Sequence, residues 1–198
     1  MSKTINYYFT SISPFTYLGH SLLLQTSEKA NAKIHYKPVI LGQIFAVNGT
    51  LPLGERSNSR QAYRLVELTR WSVKRSLPLI LKPAFFPTNP ALADKCVIAL
   101  QESGISAGKF ANVVMAACWS QEKNISEETV IHDILTELKF DADTIMTKAK
   151  TDEVQSIYEA NTAEAIEKSV LGVPAYYFNG EQFWGQDRLE LLKDALSK

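Results

Sequence analysis

Segments with the character of buried β-strands occur only at the two ends of this chain, and helical periodicity fills everything between them. That order excludes a sandwich or a regularly alternating α/β sheet and points to a split sheet with helices inserted in its middle. At the N-terminal end, Ile5 to Phe9 is an apolar, aromatic run rich in β-formers, read as a buried strand. Ser11-Ile12-Ser13-Pro14 follows. A hydroxyl caps free helical N–H groups, and Pro at the first helical position loses nothing, so a helix is expected to start here. Phe15, Leu18 and Leu22 continue with helical spacing, and Ile34 to Leu41 reads as a second strand, completing a βαβ unit with a right-handed crossover. At the C-terminal end, Ala175 to Phe178 and Gln182 to Trp184 read as strands joined by an Asn179-Gly180 hairpin turn. Asp187 then opens a last helix with Glu190 as a capping-box-like partner and Leu189, Leu192 and Leu196 as its inner face.

Between these ends, Gly42 to about Arg60 is rich in Gly, Pro, Asn and Ser and is expected to be a loop. Ala62, Leu65, Val66, Thr69 and Val73 fit one helix face, and Pro78, Pro83, Pro87 and Pro90 make the next stretch irregular. Helical stripes follow at Leu92, Cys96, Val97 and Leu100, then at Phe110, Val113, Val114, Ala117 and Cys118. Ser126 is expected to cap the next helix, with Glu127 and Glu128 in its first turn, and two more helices run from about Asp143 to Lys168. The expected fold class is α/β: a thioredoxin-like (βαβ…ββα) sheet with an inserted all-helical domain. Residues 1–50 and 169–198 form the thioredoxin-like domain and residues 51–168 the insert.

Composition narrows the functions open to such a chain. Its 198 residues are 45% apolar, and 21 Lys and Arg balance 21 Asp and Glu. A net charge near zero gives no reason to expect nucleic acid or an anionic membrane as partner. The N-terminus lacks a charged-then-apolar leader pattern and no apolar run approaches a membrane span, so a soluble, cytoplasmic protein is expected. Cys96 and Cys118 lie on apolar helix faces and are expected to be buried free thiols. There is no CxxC, and no Cys at the first helix start where a disulfide oxidoreductase of this fold needs one.

The chemistry is expected to centre on Ser13. A strand running into a helix N-terminus offers free N–H groups and a positive dipole end. The same electrostatics stabilises a thiolate, and a hydroxyl can donate one further bond to sulfur; the competing reading is a plain helix cap. Val173-Pro174 precedes a strand and is compatible with a cis bond. In this fold that would leave backbone groups free to pair with an extended peptide. Asp187 is either a helix cap or the partner of a ligand ammonium whose carboxylate the helix N–H groups take, and Arg188 either adds a charge contact or is a solvated surface residue. Phe86 and Asn89 in the Phe85–Pro90 stretch, with Tyr63 and Trp71 on the preceding helix, either offer an apolar wall with a polar handle for a small aromatic substrate or are plain core packing. His20, His35 and His132 have no metal-ligand or triad spacing, so no metal is expected.

The segments YYFTSISPFTYLG (7–19), KPVILGQIF (37–45), AYRLVELTRW (62–71), FPTNPAL (86–92) and GVPAYYFNGEQFWGQDRLELL (172–192) together resemble the kappa-class glutathione transferases, within them the 2-hydroxychromene-2-carboxylate isomerase branch. The resemblance implies glutathione as cofactor and Ser13 as the catalytic residue bonding its sulfur. It also implies Val173, with Pro174 in cis, as the backbone partner of the cysteinyl unit, and Asp187 and Arg188 at the γ-glutamyl end. It further implies a homodimer and the cis–trans isomerisation of 2-hydroxychromene-2-carboxylate to trans-o-hydroxybenzylidenepyruvate. Thr50 stands where the family has a glutathione-contacting Asn, so either Thr50 or Asn48 takes that role or glutathione binds more weakly. A transferase or peroxidase acting on other electrophiles, or a non-catalytic ligand-binding protein, are the alternatives.

Overall fold

In the computed structural model, which describes residues 3–198, a four-stranded sheet carries helices on both faces. β1 (Lys3–Phe9), α1 (Pro14–Lys29) and β2 (Ala32–Pro38) form the first unit. α2 (Leu41–Asn48), a 3-10 turn (Leu53–Glu55) and α3 (Asn58–Arg75) follow, then α4 (Ala91–Glu102), α5 (Gly108–Gln121), α6 (Glu128–Glu137), α7 (Ala142–Ala149) and α8 (Asp152–Glu167). β3 (Ala175–Phe178), β4 (Glu181–Trp184), a second 3-10 turn (Gln186–Arg188) and α9 (Leu189–Leu196) close the chain. The strand order is β2-β1-β3-β4, with β1 parallel to β2 and antiparallel to β3. This is the thioredoxin-like arrangement with inserted helices.

The alternation of β1 decides what each face buries. Ile5, Tyr7 and Phe9 point into the larger core; Tyr8 points to the other face among Val39, Ile44, Ala165 and Val170. Tyr7 stacks on Phe9 at 4.5 Å and on Tyr176 of β3 at 5.3 Å, so aromatic pairs reinforce the β1–β3 register. The larger core is continuous with the helical block, for Tyr7 and Tyr176 share it with Val97, Phe110 and Trp119. Polar ties also join the two parts. Glu164 of α8 accepts from Tyr8 (2.8 Å) and pairs with Lys37. Gln101 of α4 pairs with the Tyr36 N–H and C=O, covering the exposed edge of β2 as another strand would.

Several local expectations are corrected. β2 ends at Pro38, and Leu41 opens a helix where a loop to Arg60 was expected. α2 buries only Ile44, flanked at helical spacing by the partly buried Leu41 and Phe45; Gly49 ends the helix in the left-handed region (φ 64). On α3 the expected inner face is turned outward: Leu68 is the buried residue, while Val73 is 75% exposed. Leu68 and the partly buried Trp71 seat the helix on the core, and polar contacts tie its C-terminal end. The Arg75 guanidinium donates to the Gln186 side chain and carbonyl (3.0–3.1 Å) and lies over the Trp71 ring. Glu127, not Ser126, occupies the cap position of α6; the Ser126 hydroxyl donates to Asn124. Asp187 lies within a 3-10 turn and makes no cap bond to α9, whose cap position is Arg188.

Candidate functional site

A cleft of about 800 Å³ opens at the N-terminus of α1. This is a volume suited to a small organic ligand. One wall is the β1–α1 turn. Ser13 is 7% exposed, and its oxygen accepts the Thr16 N–H (3.2 Å) as the N-cap. Pro14 has no N–H and Thr16 is satisfied, so the Phe15 N–H is the first-turn donor left without a partner among the described residues. The cap uses only a lone pair of Ser13, and its O–H proton is still available to donate. Capping and ligand binding at this hydroxyl are therefore compatible.

Beside it lies the segment before β3. The Val173–Pro174 peptide bond is cis, as is Phe86–Pro87. Leu171, Gly172 and Val173 line the cleft with Trp184 of β4. Among the described residues, neither the N–H nor the C=O of Val173 has a hydrogen-bond partner, whereas the Pro174 carbonyl accepts from Gly185 (2.8 Å).

The opposite wall is α2, the 49–57 connection and the start of α3. Asn48 and Thr50 both line it. The Asn48 amide donates to the Val170 carbonyl (2.8 Å), while the Thr50 hydroxyl has no partner among the described residues. Arg56, Arg60 and Arg64 also face the cleft, whose lining contains no Asp or Glu. Arg56 donates to the Leu51 carbonyl (2.8 Å) and lies over the Phe45 ring. Arg64 lies over Phe86, and burial followed by the nearby Arg56 charge lowers its pKa, yet a guanidinium stays charged at any working pH. None of the three arginines makes an ion pair among the described residues. The wall is thus cationic and open to a carboxylate.

The expected site residues are only partly gathered. Ser13, Thr50, Val173 and Phe86 meet at the cleft, with Pro174 directly behind. Asp187 and Arg188 are outside its lining and pair with each other in the 3-10 turn after β4. Asn89 accepts from Ala91 N–H (3.0 Å) at the start of α4, and Tyr63 is 60% exposed on α3; neither lines the cleft. Sequence reasoning did not single out the arginines, although Arg60 and Arg64 share one face of α3 at an interval of four; Arg56 joins them from the extended connection before it. Cys96 and Cys118 are buried, and burial pushes their thiols up to about 12 and about 11. His20 is fully buried on α1, its Nε2 bonded to the Gly108 carbonyl (2.9 Å) and Nδ1 facing the Tyr7 hydroxyl (3.3 Å). That pairing assigns the Nε2–H tautomer and a structural role.

Fold and cleft define a class: the chain belongs to the DSBA-like thioredoxin domain family, which matches residues 4–197. Within it, the chain is similar to the 2-hydroxychromene-2-carboxylate isomerase of Sphingobium xenophagum, 26% identical over 198 residues and 99% of each chain. It is likewise 28% identical over 195 residues to that of Pseudomonas sp. (strain C18), covering 97% of this chain and 89% of the relative. A solved structure of 2-hydroxychromene-2-carboxylate isomerase superposes with a TM-score of 0.84 at 25% identity, covering 98% of this chain and 94% of that one.

Proposed function

We propose that this protein is a glutathione-dependent cis–trans isomerase that converts 2-hydroxychromene-2-carboxylate to trans-o-hydroxybenzylidenepyruvate, a cytoplasmic step in the breakdown of naphthalene-type aromatics. One observation carries the reading. The capping hydroxyl of Ser13 keeps a free O–H proton at one end of a cleft whose other wall bears three arginines and no carboxylate. The reaction involves anions at both places, a thiolate and carboxylates.

The residues present suit glutathione. Ser13 O–H and Phe15 N–H are donors for its sulfur. The N–H and C=O of Val173 pair with its cysteinyl unit as an added strand. Thr50, whose hydroxyl is unengaged, is the better candidate than Asn48 for the contact the family makes with Asn. Asp187 and Arg188, just beyond Trp184, are assigned to the ammonium and carboxylate of the γ-glutamyl end. When bound, glutathione would supply a thiolate, held by Ser13 O–H and Phe15 N–H, as the nucleophile for the conjugated double bond of the ring-opened hemiketal, and would leave unconsumed.

This chain's own residues do the rest. Ser13 and the α1 N-terminus hold the sulfur as the anion, a preorganised stabilisation that costs no rearrangement during reaction. The arginine wall takes the substrate carboxylate and fixes the ring end against Phe86, which turns an encounter of two solutes into a reaction within one complex. Homodimer formation belongs to the same proposal: Tyr63, Val66 and Val73 form an exposed stripe along α3 that suits a second copy of this chain.

Isothermal titration with glutathione tests the site. Saturable binding, with a bound thiol pKa that rises in Ser13→Ala, supports the reading. No binding at millimolar glutathione removes it. Stoichiometric loss of glutathione during turnover replaces isomerase with transferase or peroxidase.

A further inference from the structure

Asp94 of α4 is fully buried, yet no part of the proposed chemistry uses it. Its carboxylate receives four hydrogen bonds: Thr10 Oγ1 (2.7 Å) and Tyr158 Oη (3.0 Å) on Oδ2, and Ser11 N (2.8 Å) and Ser11 Oγ (2.6 Å) on Oδ1. No Lys, Arg or His pairs with it among the described residues. Two of the partners belong to the residue two positions before Ser13, and a third to the residue before that. Thr10 also supplies the carbonyl that accepts the Ser13 N–H (3.2 Å). The carboxylate therefore grips the turn that presents the Ser13 hydroxyl and ties it to α4 and α8.

A buried anion without a cation is an expensive way to fill a core. Desolvating a carboxylate costs several kcal/mol, and an apolar side chain of similar volume would pack as well or better. What the carboxylate adds is direction: two acceptor oxygens with fixed geometry, each engaging donors of the β1–α1 turn. Burial raises its pKa to about 6 while Ser11, Thr10 and Tyr158 pull it down, so the four donors offset part of the penalty and leave the rest standing.

We infer that Asp94 is a positioning residue, a buried carboxylate that holds the Thr10–Ser11 turn so that the Ser13 hydroxyl and the Phe15 N–H converge on one point in the cleft. Its effect on turnover rests on the proposed function; its effect on the turn does not. Asn at this position keeps one oxygen for the two Ser11 donors, and its amide N–H groups can donate to the Thr10 and Tyr158 hydroxyls; Ala keeps nothing.

The test compares Asp94→Asn and Asp94→Ala with the parent protein. In Asp94→Ala, kcat should fall by about a hundredfold, the loss expected when a catalytic group is misplaced by about 1 Å. The KM for the aromatic substrate should change little, because the arginine wall is untouched. The pKa of bound glutathione, read from ultraviolet thiolate absorbance, should rise, and Asp94→Asn should restore most of both quantities. A folded Asp94→Ala protein with unchanged kcat and unchanged thiol pKa overturns the inference, as does a loss of kcat that Asp94→Asn fails to rescue at all. Amide hydrogen exchange at residues 10–16 gives the readout that needs no glutathione. Exchange should quicken there in Asp94→Ala while the β3–β4 hairpin keeps its protection. Unchanged exchange at 10–16 defeats the inference. If the parent protein ignores glutathione but residues 10–16 loosen, the proposed function fails and the positioning role stands.

Discussion

The α1 wall of the cleft is anchored from inside, with Ser13 at 7% exposed and Thr10, Ser11 and Asp94 at 1% or less. The facing wall of α2 and α3 is anchored loosely: Val47 is 64% exposed, Leu51 is 52% exposed, and the three arginines hold no carboxylate. A wall tied into the core by four hydrogen bonds and an aromatic stack keeps one geometry, which is what stabilising a thiolate demands. A wall built from surface helices can change its side chains without disturbing the core, which suits it to choosing a substrate. The class of reaction is thus expected to follow the first wall, and the identity of the substrate the second.

The sharpest way to break this division is Ser13→Ala. Removing a donor aimed at a developing or held anion costs about a hundredfold to a thousandfold in kcat. Substrate KM should stay within a few-fold, and a variant that raises KM instead places Ser13 on the binding side. The converse experiment is Arg60→Ala with Arg64→Ala. Each lost hydrogen bond to a carboxylate is worth about 1.5–3 kcal/mol, so KM should rise by about tenfold or more while kcat holds. Steady-state kinetics on the substrate and on an analogue lacking the carboxylate checks it, since the analogue should not feel the arginines.

A smaller effect separates the walls by pH, because the buried titratable groups lie on the first. His20 is pushed down to about 4 by burial, against the partial opposition of its Gly108 bond. The unfolded chain takes up that proton near 6.5, so stability present above that pH is lost as pH falls toward 4. Asp94 has the opposite sign. Its folded pKa of about 6 exceeds the ordinary 3.8, so the native state binds the proton first and gains stability as pH falls from 6 to 3.8. The two contributions offset each other in the parent protein. Relative to it, Asp94→Asn should lose melting temperature more steeply from pH 6.5 to 4, and His20→Asn should lose it less steeply. Parallel curves for all three proteins contradict these assignments. The smallest expected effect is that of Asp187→Ala. An exposed side chain already paired with Arg188 should weaken glutathione binding by only about threefold, in line with exposed charge pairs. Titration calorimetry checks it, and complete loss of binding would bring Asp187 to the centre of the site.

The same contrast governs what could be read from sequence. What was legible carries local signals: Ser13-Pro14 starts the helix of the first wall, and Asn179-Gly180 makes the β3–β4 hairpin, with φ 49 and 84. The second wall was not legible. α2 is only eight residues long, and its short Leu41, Ile44 and Phe45 stripe is interrupted by Gly42, which reads as a loop former. The outward turn of α3 comes with Leu68 and Trp71 packing on the core and with Arg75 on Gln186, a contact between residues 111 positions apart that no local pattern carries. Asp94 was invisible for a similar reason. It sits inside an apolar helical stripe as a lone charge, and its partners at 10, 11 and 158 meet only in the fold. The Leu189, Leu192 and Leu196 face of α9 is buried as its spacing predicts, but the cap expected from Asp187 is replaced by a tight turn.

Isomerisation with glutathione as a returned cofactor has a distinctive balance: product forms and thiol is conserved. The most direct measurement follows 2-hydroxychromene-2-carboxylate turnover by the purified protein with and without glutathione, while titrating free thiol throughout. The trans product should form at a rate that saturates with glutathione, with the thiol fully recovered at the end. The same rate without glutathione, or thiol lost in proportion to product, contradicts it.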